Sequence, residues 1–322
     1  MDVISQRHAF LQKFASSLTY LAKVDVVSDK TLSNSLAEFS ALLSKGNIPA
    51  PIAFHSYFKL LRATQTNNLR QIKTEVRALI SAGFVSDNAT HICPLTPDHF
   101  TPAESRLLRQ QFCSESLFSR QITRLPEALS ASIQLELKKA LNLLAKYAPQ
   151  ANLTFTTITR EIIPVYGRAH NGMVFDGCSS LERWGAILIN MRRIRSPLIM
   201  AETLVHESAH SLLFAVQLDD YLAINPATDR FPSPLRIDPR PIDGIFHATF
   251  VLSFMIAFLV EVAQHKATTS ELKKQAETTL SERTKAFCDG YGVLLEHAKL
   301  TDKGREILND AYARVPQALH AA

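Results

Sequence analysis

Apolar residues recur at three- and four-residue intervals through the first 150 positions of the chain, a pattern that predicts one helix after another. Glycine and proline mark two of the expected ends, with Gly83 as a C-cap and Pro149 just past a last turn. The pattern predicts helices at Ile4–Lys23, Lys30–Leu43, Ala53–Ala82, Ala103–Glu115 and Pro126–Tyr147.

Beyond residue 150 the pattern changes. Leu153–Arg160 is β-branched and partly alternating, and Trp184–Asn190 is short and apolar, so both segments predict strands. Between them, Tyr166–Cys178 contains three glycines and predicts turns or a hairpin. From Ser196 the chain is helical again, with one long interruption at Asp219–Pro241.

These elements predict a mainly α protein with a small β-sheet, an α+β fold. A boundary near residue 150 would divide a helical N-terminal region, 1–150, from a second region, 151–322, that holds the sheet and the long helices. The most apolar run is Phe250–Val260, whose eleven uncharged residues are too few to cross a bilayer, which needs about 20. We expect a buried core helix there, with phenylalanines in core packing every four residues at Phe246, Phe250, Phe254 and Phe258.

Composition supports a globular chain and excludes several classes of protein. Of the 322 residues, 46% are apolar and 20% are charged, which rules out a disordered or fibrous chain. The net charge of +5 is modest for this size and does not indicate a nucleic-acid partner. The N-terminus has no apolar core of a signal peptide, and no CxxC pair occurs, so we expect a cytoplasmic protein with reduced thiols at Cys93, Cys113, Cys178 and Cys288.

One segment carries chemistry. Ser196 and Pro197 mark a helix start, and the helix that follows contains the HExxH pentad from His206 to His210. Residues four apart lie on the same face of a helix, so the two imidazoles can bind one divalent metal ion. The flanking residues are uncharged, as a buried metal-binding helix requires. The pentad therefore predicts a metal site at His206 and His210.

The third ligand decides the chemistry, and the sequence leaves it open. The metzincin extension needs Gly and His where the chain has Leu213 and Val216, so that subclass is excluded. His247 and Glu261 are the two candidates on the next apolar helix, and their separation of about 21 Å allows at most one of them to reach the metal. Asp219 and Asp220 are poorer candidates, since they lie nine or more residues past His210.

Two enzyme classes follow from these candidates. A zinc metallopeptidase would use Glu261 as third ligand and Glu207 as general base. An iron oxygenase needs three ligands on one side of the metal, and His247, just after the two-proline turn in Ile237–Gly244, is better placed for it. Adjacent helical residues point about 100° apart, so Glu207 is not expected to share the metal with His206. A non-catalytic helical binding protein is the third possibility.

Two blocks of sequence resemble a known family, the HExxH-motif peptide-modification proteins, or 2-oxoglutarate-dependent HExxH-type peptide β-hydroxylases. They are AETLVHESAHSLLF at Ala201–Phe214 and DPRPIDGIFHATFV at Asp238–Val251, together under a tenth of the chain. The resemblance implies a mononuclear iron(II) site that hydroxylates a β-carbon in a ribosomally synthesised precursor peptide. No nucleic acid or membrane partner is expected.

The cosubstrate implied by this resemblance has a distal carboxylate that a bidentate guanidinium binds best. Arg240, seven residues before His247, is positioned by the two prolines beside it, and Arg236 is the second candidate for the same role. A denser basic cluster precedes the metal helix, and it is either a solvated rim or an anchor for an acidic peptide: Arg192, Arg193 and Arg195.

Overall fold

Helices make up most of the computed structural model, which confirms a mainly α fold with a small sheet. It describes residues 1–23, 29–87, 89–113, 120–169, 175–193, 196–218, 220–235 and 238–320. In these ranges the helices are α1 (Val3–Lys23), α2 (Lys30–Ser44), α3 (Pro51–Gln65), α4 (Leu69–Ala82), α5 (Pro102–Cys113), α6 (Glu127–Tyr147), α7 (Pro149–Ile158), α8 (Pro197–Val216), α9 (Ile242–Gln264), α10 (Ser270–His297) and α11 (Asp302–His320). The strands are β1 (His91–Ile92), β2 (Arg120–Thr123), β3 (Glu161–Ala169), β4 (Gly177–Ser179) and β5 (Ala186–Asn190).

The sheet is mixed, with β1, β3, β5 and β4 side by side in that order. Strands β1, β3 and β5 are parallel, while β4 is antiparallel to β5 and β2 is antiparallel to β3. Every residue of β5 is buried, because protein covers both faces of the sheet. Ile187 and Ile189 face the large core that includes α8, whereas Leu188 faces a smaller cluster with Phe100 and Leu108.

The strand predicted at Leu153–Arg160 is wrong, because all but the last two residues of this segment belong to α7. Pro149 stands in the first turn of α7, where its fixed φ and missing N–H suit a helix start. Side chains satisfy both ends, with Glu261 from the distant α9 at the N-terminus and the neighbouring Arg160 on carbonyls of the last turn. Tertiary contacts therefore outweigh the β-propensity of its threonines.

The hairpin predicted at Tyr166–Cys178 is also only partly right. Its first four residues extend β3, a strand of nine residues that the sequence pattern did not predict, and its last two lie in β4. Residues 170–174 lie outside the described residues. The strand predicted at Trp184–Asn190 is confirmed as β5.

The single helix predicted at Ala53–Ala82 is two helices, α3 and α4. Asn67 between them has φ of 55°, a left-handed conformation that ends a helix. The side chain of Asn68 then accepts the N–H of Gln71 and caps α4. The other predicted helices of the N-terminal region are confirmed to within a few residues as α1, α2, α5 and α6.

Helix α9 has the expected buried character, and all four phenylalanines of its stripe lie in the core. By length and composition it is, among the described helices, the one long and apolar enough to cross a membrane, and 83% of its apolar window is buried inside the fold. It packs against α8, α10 and α11.

Trp184 joins the N-terminal helices to the second half of the chain. Its ring lies 4.6 Å from that of Phe10 on α1 and 5.6 Å from that of Phe54 on α3, measured between ring centroids. Its indole N–H donates to the carbonyl of Ser211 on α8 at 2.8 Å. One hydrophobic cluster consequently extends across residue 150, where the boundary was predicted, from Phe10 to Val315.

Candidate metal site

Helix α8 is held firmly within the fold. It begins as the sequence predicts, with the Ser196 hydroxyl accepting the N–H of Ile199 at 3.3 Å and Pro197 in the first turn. Most of its residues are buried against α6, α7, α9 and the sheet. A partly buried ion pair adds to this, since Arg283 of α10 donates from Nε to Glu202 of α8 at 2.8 Å. The HExxH pentad therefore lies on a firmly packed helix.

His206 and His210, the histidine pair, face each other on α8. Their Nε2 atoms are 3.1 Å apart. On the other side of the His206 ring, Nδ1 lies 3.3 Å from the Met255 sulfur of α9. A thioether sulfur can only accept, so this contact is a hydrogen bond in the tautomer that carries the proton on Nδ1, and that tautomer turns the lone pair of Nε2 toward His210.

This spacing suits a shared metal ion. Two nitrogen ligands that each lie about 2.1 Å from one metal ion are about 3.0 Å apart in octahedral geometry and about 3.4 Å apart in tetrahedral geometry. Burial, and then the neighbouring His206 and His247, hold the pKa of His210 well below its usual range. The ring is thus neutral, the form that binds metal. Both residues nevertheless keep a small exposed fraction, which places them near the surface of the fold.

His247 of α9 lies next to the pair. Its ring stacks on that of His210, with centroids 5.6 Å apart and planes 27° apart, and the Phe214 ring lies beside both. Its Nε2 donates to Oε1 of Gln217 at 3.1 Å. The structure therefore brings all three predicted histidines together, although no three His, Cys, Asp or Glu side chains in the described ranges are already arranged to hold a metal ion.

Glu207 points to the sheet instead of along the face of the histidine pair. Its Oε2 accepts the hydroxyl hydrogen of Ser179 on β4 at 2.9 Å, and the residue is only 5% exposed. Gly177 makes room for it, because a Cβ at that position would lie 2.8 Å from Glu207 Cγ. The close approach of β4 to α8 thus depends on glycine at 177.

Glu261, the alternative third ligand, is engaged elsewhere. Its two carboxylate oxygens accept the backbone N–H groups of Gln150 and Ala151 at 2.9 and 3.1 Å. It lies six residues past Met255 on α9, about 9 Å further along the axis than the contact with His206. Burial raises its pKa, and the two hydrogen bonds lower it by less.

Arg240, the predicted cosubstrate anchor, is fixed just before α9. Its Nε lies 2.8 Å from Oδ2 of Asp238, and its backbone exchanges two 2.9 Å hydrogen bonds with Phe231. The second candidate, Arg236, lies outside the described residues, as does Asp219. Asp220 is exposed.

Arg192, the first arginine of the basic cluster before α8, has its guanidinium 5.2 Å from the centroid of the Tyr166 ring. Arg195 lies outside the described residues, and only the backbone of Arg193 is described.

Among the contacts of the predicted residues that sequence reasoning missed are the polar or sulfur contacts of Ser179, Gln217 and Met255. For two of them helical spacing was a usable signal. Gln217 comes seven residues after His210 and Met255 comes eight after His247. Each therefore lies about two turns further along the helix, near the face of the histidine that precedes it in the chain. Ser179 had no such signal, because its contact depends on how β4 packs against α8.

Comparison with known proteins leaves the site to be interpreted from its own geometry. No protein-family model matches the chain, and no curated protein matches it.

Proposed function

We propose that the protein is an iron(II)- and 2-oxoglutarate-dependent dioxygenase that hydroxylates the β-carbon of a residue in a ribosomally synthesised peptide. The observation that carries the proposal is the grouping of three imidazoles, with the histidine pair 3.1 Å apart and His247 stacked beside it. Neutral imidazole is a common ligand of iron, and three of them can leave coordination positions open for a cosubstrate.

In this proposal His206, His210 and His247 hold the iron. When bound, iron with 2-oxoglutarate and dioxygen supplies the oxidant, and 2-oxoglutarate is converted to succinate and carbon dioxide. Arg240 binds the distal carboxylate of the cosubstrate, which replaces Asp238 as its partner. The Phe214 ring against His210 and His247 keeps this side of the site apolar.

Glu207 has a positioning role in the hydroxylase. Its hydrogen bond from Ser179 and its burial against Gly177 join α8 to the edge strand β4. As general base of a zinc metallopeptidase it would be indispensable. That alternative loses its proposed third ligand, because Glu261 caps α7. The hydroxylase is therefore the better-supported enzyme class.

The test is metal analysis of protein purified without oxygen, combined with an assay for succinate formed from 2-oxoglutarate. We expect iron in the wild type and in a control variant of an exposed histidine on α1, H8A. H206A and H210A should each lose both metal and succinate formation, and full occupancy in both would refute the site. R240A should keep its metal but bind 2-oxoglutarate about ten- to a hundredfold more weakly, since a charge-assisted pair contributes about 1.5–3 kcal/mol.

The same experiment distinguishes the other two classes. Zinc together with peptide-bond cleavage that E207Q abolishes would identify a metallopeptidase. Absence of both metal and turnover in the wild type would indicate a non-catalytic helical binding protein.

A further inference from the structure

Gln217 connects α8 to the third histidine. It is the first residue after α8, and its backbone N–H still donates to the carbonyl of Leu213 at 3.0 Å, so its position follows from the helix. Its side-chain Oε1 lies 3.1 Å from Nε2 of His247. A carbonyl oxygen can only accept, so this contact is a hydrogen bond in the tautomer of His247 that carries its proton on Nε2.

The position of that proton decides which ring atom of His247 is available to a metal. A neutral imidazole protonated at Nε2 has its lone pair on Nδ1. Histidines that bind metal ordinarily donate their other ring N–H to a carbonyl or a carboxylate, which fixes the ring orientation. Gln217 supplies such a carbonyl.

His206 has the opposite arrangement. Its Nδ1–H faces the Met255 sulfur and its Nε2 faces His210. The histidines of α8 thus use the nitrogen far from the backbone, while His247 offers the nitrogen near it.

We propose that Gln217 is a positioning residue that holds His247 through its Nε2–H, so that His247 binds the metal through Nδ1. This inference rests on the proposed function, because it takes the histidine pair as the centre of a metal site. It assigns Gln217 no contact with substrate.

The first test is titration of metal-free protein with cobalt(II), followed by absorption. We expect Q217A to bind cobalt about ten- to a hundredfold more weakly, the usual effect of losing such a partner. Q217E should bind at least as tightly as the wild type, because a carboxylate is the stronger acceptor. The exposed glutamine at the end of α9 is the matched control, and Q264A and Q264E should match the wild type. A merely structural role would not give this order.

The second test is nitrogen NMR of zinc-loaded protein labelled at histidine. We expect one imidazole, absent from H247A, to be metal-bound at Nδ1 and protonated at Nε2. Metal binding through Nε2 of His247, or equal cobalt affinity in all Gln217 variants, would overturn the inference and leave the proposed function standing. A wild type that binds no metal would overturn both. If Q217A proves unfolded by circular dichroism, the ring atom through which His247 binds zinc in the NMR test decides alone.

Discussion

Glu261 offers a direct way to separate the two enzyme classes, because a metal ligand and a helix cap respond differently to substitution. Its carboxylate accepts the N–H groups of Gln150 and Ala151 in the first turn of α7. Ala148, at the N-cap position, has no side chain to do this. We predict that Glu261 stabilises the fold and leaves metal binding unaffected.

The expected magnitude follows from these contacts. Loss of a capping acceptor costs about 0.5–2 kcal/mol, and loss of a negative charge near a helix N-terminus costs about 0.3–1 kcal/mol more. E261A should therefore lower the free energy of unfolding by about 1–3 kcal/mol. E261Q should lower it by about 1 kcal/mol, because the amide keeps one acceptor. The amide is also uncharged, so it avoids the cost of burying a charge, the cost that raises the pKa of the carboxyl.

The assay is urea unfolding followed by the fluorescence of Trp184, the single tryptophan of the chain, which is 2% exposed. Cobalt affinity is measured on the same samples. E277Q, at an exposed glutamate of α10, is the control and should match the wild type in both measurements. An E261A variant with wild-type stability and no metal would refute the reasoning and restore the peptidase as the leading candidate.

Two further predictions concern groups outside the site. Hydrogen bonds from His55 and then Arg62 hold the pKa of Glu182 at about 2, below its ordinary value of 4.5. The stability that its carboxylate contributes is therefore present above pH 4.5 and lost as the pH falls toward 2. The urea midpoints of the wild type and E182Q should converge over that interval. A difference between the two midpoints that stays unchanged from neutral pH to pH 3 would contradict this. Burial and a neighbouring glutamate raise the pKa of Cys93 to about 11, whereas Cys288 is exposed. Near neutral pH a thiol reagent should therefore label Cys288 rapidly. A fast labelling phase that is lost in C93S would show the opposite order.

Most helices could be predicted because their signals are local. Ser196 and Pro197 start α8 where the sequence places them, and the phenylalanine stripe of α9 is buried as its four-residue period requires. The break between α3 and α4 was missed because Asn67 interrupts an otherwise continuous amphipathic pattern. A single residue in a left-handed conformation has little signature in a hydrophobic periodicity.

The errors in the sheet have a different cause. Helix α7 contains four residues of Thr and Ile in its ten, a composition typical of strands, yet Pro149 and the distant Glu261 favour a helix. Strand β3 contains Pro164 and Gly167, residues that weaken a strand prediction, yet five of its residues pair with β5. In both cases non-local contacts decide the structure, and no window of sequence contains them.

The candidate site was predictable as far as helical spacing reaches. The four-residue interval places His206 above His210, and the turn before α9 brings His247 to the pair. The partner of each ring depends instead on the register of α8 against α9, which run antiparallel, since His206 contacts Met255 while His210 contacts His247. That register follows from core packing over the whole length of both helices, so it could not be obtained from the motifs alone.

The packing of α8 also bears on what a metal would contribute. Trp184 binds its backbone from one side, Arg283 pairs with Glu202 on another, and Glu207 joins it to β4. The histidine pair is already brought together by these contacts without an ion. A small zinc domain, by contrast, uses metal binding to fold, because its ligands are dispersed in the unfolded chain. Here the large core places His206 and His210 side by side, so in the proposed metal site the free energy of metal binding would not be needed for folding. The proposed catalytic centre would benefit from such preorganisation, since metal ligands must keep their positions while the remaining coordination sites exchange cosubstrate.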